Sequence, residues 1–415
     1  MKELWSKWKK LSLLLKLLFA MIIGIALGLI FGEKILVVKP LGTLFLNLLK
    51  MCALPMILCS IIAGITGVKD AKSVGRAGVK ILIYYLGTTI LAAAVALLVT
   101  TIIKPGVGFE LTTPFDGTIT ELPSILETFV NLFPSNIFGS LSSGSFAHAL
   151  VFAILAGCGA LKLPAEEKQK VHDFFETATE LIGRILKIAL GYAPIGVCVL
   201  ITCCLGQYGT AFFAVAGKYL AANYVSCILM MVVYLALLTL FTGRNPFAFL
   251  KLALPSMMTA FGTQSSAAVL PMNLEAAEKM GGKKSVYSFT IPLGNQINKD
   301  GTAILLAASF LFAAQAGGVD ISLATMIKVV LMSLLLTVGY GTTVAGGAVV
   351  QVTIMIEAFG LPLEIVAVVS GVLALMDGIL TTNNNLGDLA GTMIVSDSEK
   401  KRDTKLGIKD EEENV

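Results

Sequence analysis

Asn295-Gln296-Ile297-Asn298-Lys299-Asp300-Gly301-Thr302 lies between apolar stretches long enough to cross a membrane. Ionisable groups at bilayer depth cost roughly 3 kcal/mol each on insertion scales. Such a run persists only where its members pair, bind ions or line a cavity. A second polar set, Asp377, Thr381, Asn384 and Asp388, falls inside a later apolar stretch. Its spacing of i, i+4, i+7 and i+11 puts all four on one helical face. Two carboxylates, an amide and a hydroxyl are hard oxygen ligands of the kind Na⁺ prefers, and a carboxylate also pairs with an ammonium group. The bland alternative is hydrogen bonding to a neighbouring span, but two buried acids exceed what such glue needs. Gly294 and Gly301 are expected to let the helix unwind, so that backbone carbonyls also coordinate. Tyr85, Thr88 and Thr89 share a face at i, i+3 and i+4, and taken alone read as packing.

Hydrophobic residues make up 56% of the 415 and charged residues 14%. Soluble domains carry about 25% charged residues, so the chain is predicted to be an integral membrane protein. The basic start, Met1 to Lys10, leads into an apolar stretch with no small-residue cleavage site, which reads as a retained first span. The seven cysteines, Cys52, Cys59, Cys158, Cys198, Cys203, Cys204 and Cys227, have no metal-ligand spacing and read as packing residues.

Apolar runs of spanning length, about 20 residues, fall near 11–31, 40–67, 79–103, 145–162, 180–204, 209–242, 285–316 and 365–395. Lys and Arg mark the cytoplasmic side, and both ends of the chain are basic. Eight crossings from a cytoplasmic start put every basic cluster inside. The stretch from Pro105 to Leu161 has no Lys or Arg and suits an external loop followed by a span. Segment 168–183 is charged and reads as an interfacial lead-in, and the stretch from 398 as a cytoplasmic tail.

Two segments break the pattern. Residues 247–280 turn around Phe261 to Pro271, and residues 325–360 around Gly339 to Gly347; each reads as a re-entrant helical hairpin. The order is hairpin, broken span, hairpin, broken span, with the hairpins entering from opposite faces. Inverted repeats of this kind meet at the midplane in secondary transporters, and irregular backbone at that depth must be covered by protein or line a cavity. The fold class is therefore all-α polytopic, with eight transmembrane helices plus two re-entrant hairpins.

The chain resembles the dicarboxylate/amino acid:cation symporter family, the glutamate transporter homologues, over nearly its whole length. The resemblance rests on ordered motifs: Tyr84-Tyr85-Leu86-Gly87-Thr88-Thr89, Phe133-Pro134-Ser135-Asn136-Ile137-Phe138-Gly139, Tyr192-Ala193-Pro194-Ile195-Gly196-Val197, Gln264-Ser265-Ser266, Pro292-Leu293-Gly294, Asn298 to Thr302, and Asn384 with Gly387-Asp388. It implies a homotrimer working as an elevator. A scaffold (1–78 and 105–204) would hold a transport domain (79–104 and 205–397), with 398–415 as tail. It also implies cation sites at Tyr85, Thr88, Thr89, Gly294, Asn298, Asp300, Asn384 and Asp388. The amino-acid site would use Ser265, Ser266, Thr302, Asp377 for the ammonium, Leu380, Thr381 and Asn384. The gate would include Thr337, Gly339, Tyr340, Gly346 and Gly347.

Three departures matter. Acidic-substrate members carry an arginine where Leu380 or Gln264 stands here, and no arginine lies between Arg244 and Arg402. A substrate carboxylate facing leucine would be expensively desolvated, so the leading expectation is a neutral amino acid; the alternative keeps acidic amino acids or dicarboxylates, with Lys299 or a mobile lysine as counter-charge. Lys299 itself replaces a methionine. It either snorkels toward water or serves as an internal cation offsetting Asp300 or Asp388, which would reduce or remove Na⁺ dependence. Gln296 replaces a threonine beside one cation site, and the second hairpin tip diverges at Tyr340, Thr342 and Val344.

The expected activity is import of an amino acid across the cell inner (plasma) membrane, coupled to Na⁺ or H⁺, with both termini cytoplasmic and no other cofactor. Lipid and a small solute are the expected partners; nucleic acid is not. A channel or membrane sensor fits less well, because the polar residues converge on one cluster instead of lining a path. An enzyme is excluded by the pattern: His148 and His172 are the only histidines and no nucleophile–base arrangement is visible.

Overall fold

The computed structural model describes residues 13–66, 75–109, 111, 130, 133–143, 146–340 and 347–406. All regular structure among them is helical. The helices are α1 (Leu13–Phe31), α2 (Lys39–Thr66), α3 (Gly75–Ile103), α4 (Ile137–Ser142), α5 (Phe146–Ala160), α6 (Ala165–Gly191), α7 (Ala193–Tyr208) and α8 (Ala211–Thr242). They continue as α9 (Pro246–Thr263), α10 (Ser266–Lys279), α11 (Lys284–Ile297), α12 (Asp300–Ala316), α13 (Leu323–Tyr340), α14 (Gly347–Ala358) and α15 (Glu364–Leu406). A 3₁₀ turn, Gly32–Val38, joins α1 to α2.

Local chemistry sets the boundaries. Gly243, at φ 76°, ends α8 in the left-handed conformation that glycine adopts cheaply. Asn245 then accepts from the Phe247 and Ala248 amides, and Pro246 opens α9 where its missing N–H costs nothing. The turn to α10 passes through Gln264 at φ 53°, a left-handed non-glycine residue held by its side chain, whose Nε2 donates to Ala374 O at 2.8 Å. The α9–α10 pair is thus a helical hairpin, and α13–α14 is a second, tied by Gln351 Nε2 donating to Leu336 O at 3.0 Å.

The packing gathers the helices around two centres, which touch where α7 lies on α15 and where α13 and α14 reach α2. At the first, α1 lies along α7, and α2 along α5, α6 and α7. At the second, α15 is the axis: α8, α9, α11, α12 and α3 pack on it, and α3 also runs along α12. Its core is dense, with Ala303 to Phe310 and Val349 to Ile356 almost wholly shielded.

Among the described residues, five stretches are long and apolar enough to cross a membrane: Phe19–Phe45, Arg76–Ile103, Phe213–Thr242, Lys284–Ala316 and Glu364–Lys405. The eight expected crossings are therefore not all visible as single long helices. The 180–204 run is split at Tyr192, because Pro194 restarts the helix, into a charged amphipathic α6 and a short apolar α7.

Of the two expected broken spans, one is broken. Asn298 and Lys299 leave helical geometry (ψ 103° and 49°) between α11 and α12. The 365–395 span, in contrast, runs unbroken within α15. Its polar side chains bond to carbonyls one turn back, Thr382 to Gly378 O and Asn385 to Thr381 O, both at 2.8 Å, and so leave the helical ladder in place. The two glycines also act otherwise than expected. Gly294 and Gly301 are helical, and their lack of a side chain serves close approach: a Cβ at 301 would strike the Leu380 carbonyl, and one at 294 the Tyr85 hydroxyl and Asp388 carboxylate.

Candidate functional site

The α11–α12 break meets the middle of α15 and the inner face of α3, and three charged side chains, Asp300, Asp388 and Lys299, converge there. Asp300, fully buried in the first turn of α12, accepts from Thr89 Oγ1 at 2.6 Å and from Tyr234 Oη at 2.6 Å. Asp388, 1% exposed, accepts from Asn298 Nδ2 at 3.0 Å. Tyr85 closes the site from α3, its hydroxyl donating to Thr290 O at 2.9 Å, and Thr88 sits one turn along, bonded to Tyr85 O at 3.2 Å. The carbonyl oxygens of Asn298 and Asn383 are buried without a hydrogen-bond partner, as is the Tyr84 hydroxyl. A buried orphan acceptor costs about 1–3 kcal/mol. Amide oxygens left open beside two carboxylates are the donor set a dehydrated hard cation needs.

Lys299 caps this arrangement. It is 8% exposed and donates to Asn295 O at 2.7 Å. The carboxylates acting on it electrostatically are Asp388 and, more weakly, Asp377. Asp300, one of the two partners expected from sequence, is turned the other way, into the Thr89 and Tyr234 hydroxyls. Lys299 is enclosed, so the snorkelling alternative is set aside.

Next to this cluster lies the second group. Asp377 is half-buried, and Thr381 reaches it at 3.5 Å, the outer limit of a hydrogen bond. Asn384 Oδ1 accepts from the Gly301 amide at 2.7 Å. Leu380 is buried, and Thr302 half-buried beside the break. The first hairpin tip reaches the same place: Ser266 O accepts from Asn295 Nδ2 at 2.7 Å and its Oγ from Asn385 Nδ2 at 3.3 Å, while Ser265 caps α10. On the second hairpin, Thr337 is buried and bonds back to Ser333 O at 2.8 Å. Gly339 and Tyr340 end α13 and Gly347 begins α14; Gly346, with the divergent Thr342 and Val344, lies outside the described residues. Gln296 is exposed on the last turn of α11.

Tyr234 and Asn383 also belong to the site, although nothing in the motif pattern marks them. Tyr234 Oη, besides donating to Asp300, accepts from Asn383 Nδ2 at 3.1 Å. A signal was present in α8: Tyr219, Asn223, Cys227, Met230, Tyr234 and Leu238 recur on one helical face, and all are fully buried. Tyr234→Phe removes one hydroxyl that serves both Asp300 and Asn383. The variant is expected to lose about 1–3 kcal/mol, read as a lower midpoint in thermal unfolding of the detergent-solubilised protein.

Buried carboxylates and orphan oxygens, enclosed where an interrupted helix and a hairpin meet within a bundle of apolar helices, define a class: an integral membrane carrier coupled to cations. The profile of the sodium:dicarboxylate symporter family matches residues 13–398, and the chain belongs to that family. It is 29% identical over 393 residues to a C4-dicarboxylate transport protein of Yersinia enterocolitica, covering 93% of this chain and 91% of that protein. It is 29% identical over 400 residues to a proton/sodium-glutamate symport protein of Bacillus caldotenax, covering 94% of each. A C4-dicarboxylate transport protein of Pectobacterium atrosepticum is 28% identical over 417 residues, 97% of each. These relatives favour the acidic-substrate alternative over the neutral amino acid that Leu380 suggested.

Proposed function

We propose that the chain imports an acidic amino acid or related dicarboxylate, coupled to Na⁺ or H⁺, across the cell's inner (plasma) membrane. The observation that carries this reading is the pair of unpartnered oxygens, Asn298 Oδ1 and Asn383 Oδ1, on amides linked to Asp388 directly and to Asp300 through the Tyr234 hydroxyl. The site holds three carboxylates (Asp300, Asp377, Asp388) and one ammonium (Lys299), so its formal charge is −2 before any solute enters. Anion entry then requires cations to enter with it, because unpaired charge at this depth is prohibitively costly.

In this reading Tyr85, Thr88, Thr89, Asn298 and Asp300 hold one cation, and Gly294, Asn298, Asn384 and Asp388 another. Ser265, Ser266, Thr302, Thr381 and Asn384 hold the solute. Asp377 meets a substrate ammonium, which favours an acidic amino acid over a plain dicarboxylate, and Lys299 offsets part of the negative charge in place of one Na⁺. Transport proceeds by elevator motion of 79–104 and 205–397 against a scaffold of 1–78 and 105–204, in a homotrimer with both termini cytoplasmic. The second hairpin is the gate. Two observations support the division: the helices pack around two centres, and the site lies wholly at one of them.

A second reading, a neutral amino acid, has one observation in its favour: buried Leu380 offers a carboxylate no partner. Uptake of labelled aspartate and, separately, of labelled serine into proteoliposomes separates the two. Competition by glutamate and aspartate, with succinate weaker and serine or alanine inert, is the expected result. Competition by the neutral amino acids alone moves the assignment to the second reading, and absence of saturable uptake of any of them refutes both.

A further inference from the structure

Away from the buried site, a cavity of about 460 Å³ opens between the start of α3 and the ends of α8 and α15. Its lining carries four cations, Lys80, Lys401, Arg402 and Lys405, with the Ser398 hydroxyl and no carboxylate. The opposite wall is apolar: Phe241, Ile394, Val395 and the Tyr84 ring. Phe241 and its neighbour Leu240 are 60% and 77% exposed, so the apolar wall runs out onto the outer surface of the bundle.

The cations are only partly compensated. Glu399 takes Lys80 at 2.7 Å and Arg76 at 2.8 Å, and Arg402 leans on Asp403 at 3.3 Å. Asp403 is itself held by Lys283. Lys401 and Lys405 are exposed and have no ion-pair partner among the described residues. Depth identifies what they face. Lys401 stands thirteen residues beyond Asp388 on one unbroken helix, a rise of about 20 Å. The hydrocarbon half-thickness is about 15 Å. If Asp388 lies near the midplane, as the proposed function requires, the cations stand at the level of lipid phosphates and the apolar wall at the level of the upper acyl chains.

We propose that this cavity binds the phosphate headgroup of an anionic phospholipid, with its acyl chain against Phe241, Ile394 and Val395. A basic cavity between helices at the membrane interface matches an anionic headgroup in charge, and the apolar wall matches a lipid better than a free ion. The lipid would bridge α3, α8 and α15, outside the transport site.

The test compares purified protein with Lys401→Gln/Lys405→Gln, both surface positions, by native mass spectrometry and thermal unfolding. The probes are phosphatidylglycerol, phosphatidylcholine and inorganic phosphate. Phosphatidylglycerol is expected to bind and raise the unfolding temperature of the parent protein, with binding weakened roughly 30-fold in the double variant, since each cation near the surface contributes about a fivefold factor. Lys218→Gln/Lys284→Gln, charges removed elsewhere, should leave binding unchanged. Equal binding of phosphatidylcholine, an equal loss in the control variant, or no loss in Lys401→Gln/Lys405→Gln overturns the proposal. An equal response to inorganic phosphate overturns the lipid as the source. Uptake need not change, so failure here leaves the transport reading standing.

Discussion

Lys299→Met is expected to give a protein whose stability depends strongly on added sodium. The ammonium is enclosed, bonded to Asn295 O, and acts on Asp388 and Asp377. Methionine matches its length and fills the same space, so packing changes little while a charge disappears. Removing one partner of a buried pair typically costs about 3–5 kcal/mol, because the other is left uncompensated. In choline buffer the variant should therefore unfold well below the parent. Sodium that fills the vacated position restores stability by mass action, about 2.7 kcal/mol at a hundredfold excess over its dissociation constant. Thermal unfolding of both proteins across a sodium–choline series reads the effect directly. Parallel curves for parent and variant, with no greater response to sodium in the variant, would remove Lys299 from the role of internal cation.

Asp388→Asn is the second large effect, of the opposite kind. The substitution is nearly isosteric, and Asn298 Nδ2 keeps an oxygen to donate to. The charge that offsets Lys299 is lost, together with a carboxylate from the proposed cation set. A buried change of this type is again worth about 3–5 kcal/mol, which corresponds to at least about a hundredfold loss in apparent cation affinity. Uptake in proteoliposomes should become undetectable at sodium concentrations that saturate the parent. Asp397→Asn serves as the comparison: that carboxylate pairs with Arg244 at 2.7 Å, but both are partly exposed. Pairs in that setting contribute about 0–1 kcal/mol, so uptake there should stay near the parent level. Parent-like sodium response in Asp388→Asn would take Asp388 out of the cation site.

The polar run at 295–302 and the stripe from Asp377 to Asp388 were legible because each violates the apolar rule of its surroundings. A violation at bilayer depth needs a reason, and the reason is nearly always partner chemistry. The hairpin at 247–280 was legible from its small polar turn between apolar arms. The continuity of α15 was not, since Asn and Thr side chains can either replace backbone hydrogen bonds or add to them, and the choice depends on what packs alongside. Tyr234 was missed for a related reason. A tyrosine in an apolar helix reads as packing until the carboxylate it serves, 66 residues away, is seen at hydrogen-bond distance.

The amino-acid order determined that this chain enters a membrane, that a helix is interrupted near Asn298, and which residue types are available for chemistry there. Those follow from transfer free energy and local backbone preference, which act over a few residues. Tertiary structure decided which partners meet: Asp300 with the Thr89 and Tyr234 hydroxyls instead of its neighbour Lys299, Asn384 with the Gly301 amide, and basic residues of α3 and α15 around one cavity. Pairing across such separations depends on helix packing and on side-chain direction at the break. Lys299, in non-helical backbone, and Asp300, the first residue of α12, point to different sides, and only the assembled bundle specifies what each side contains.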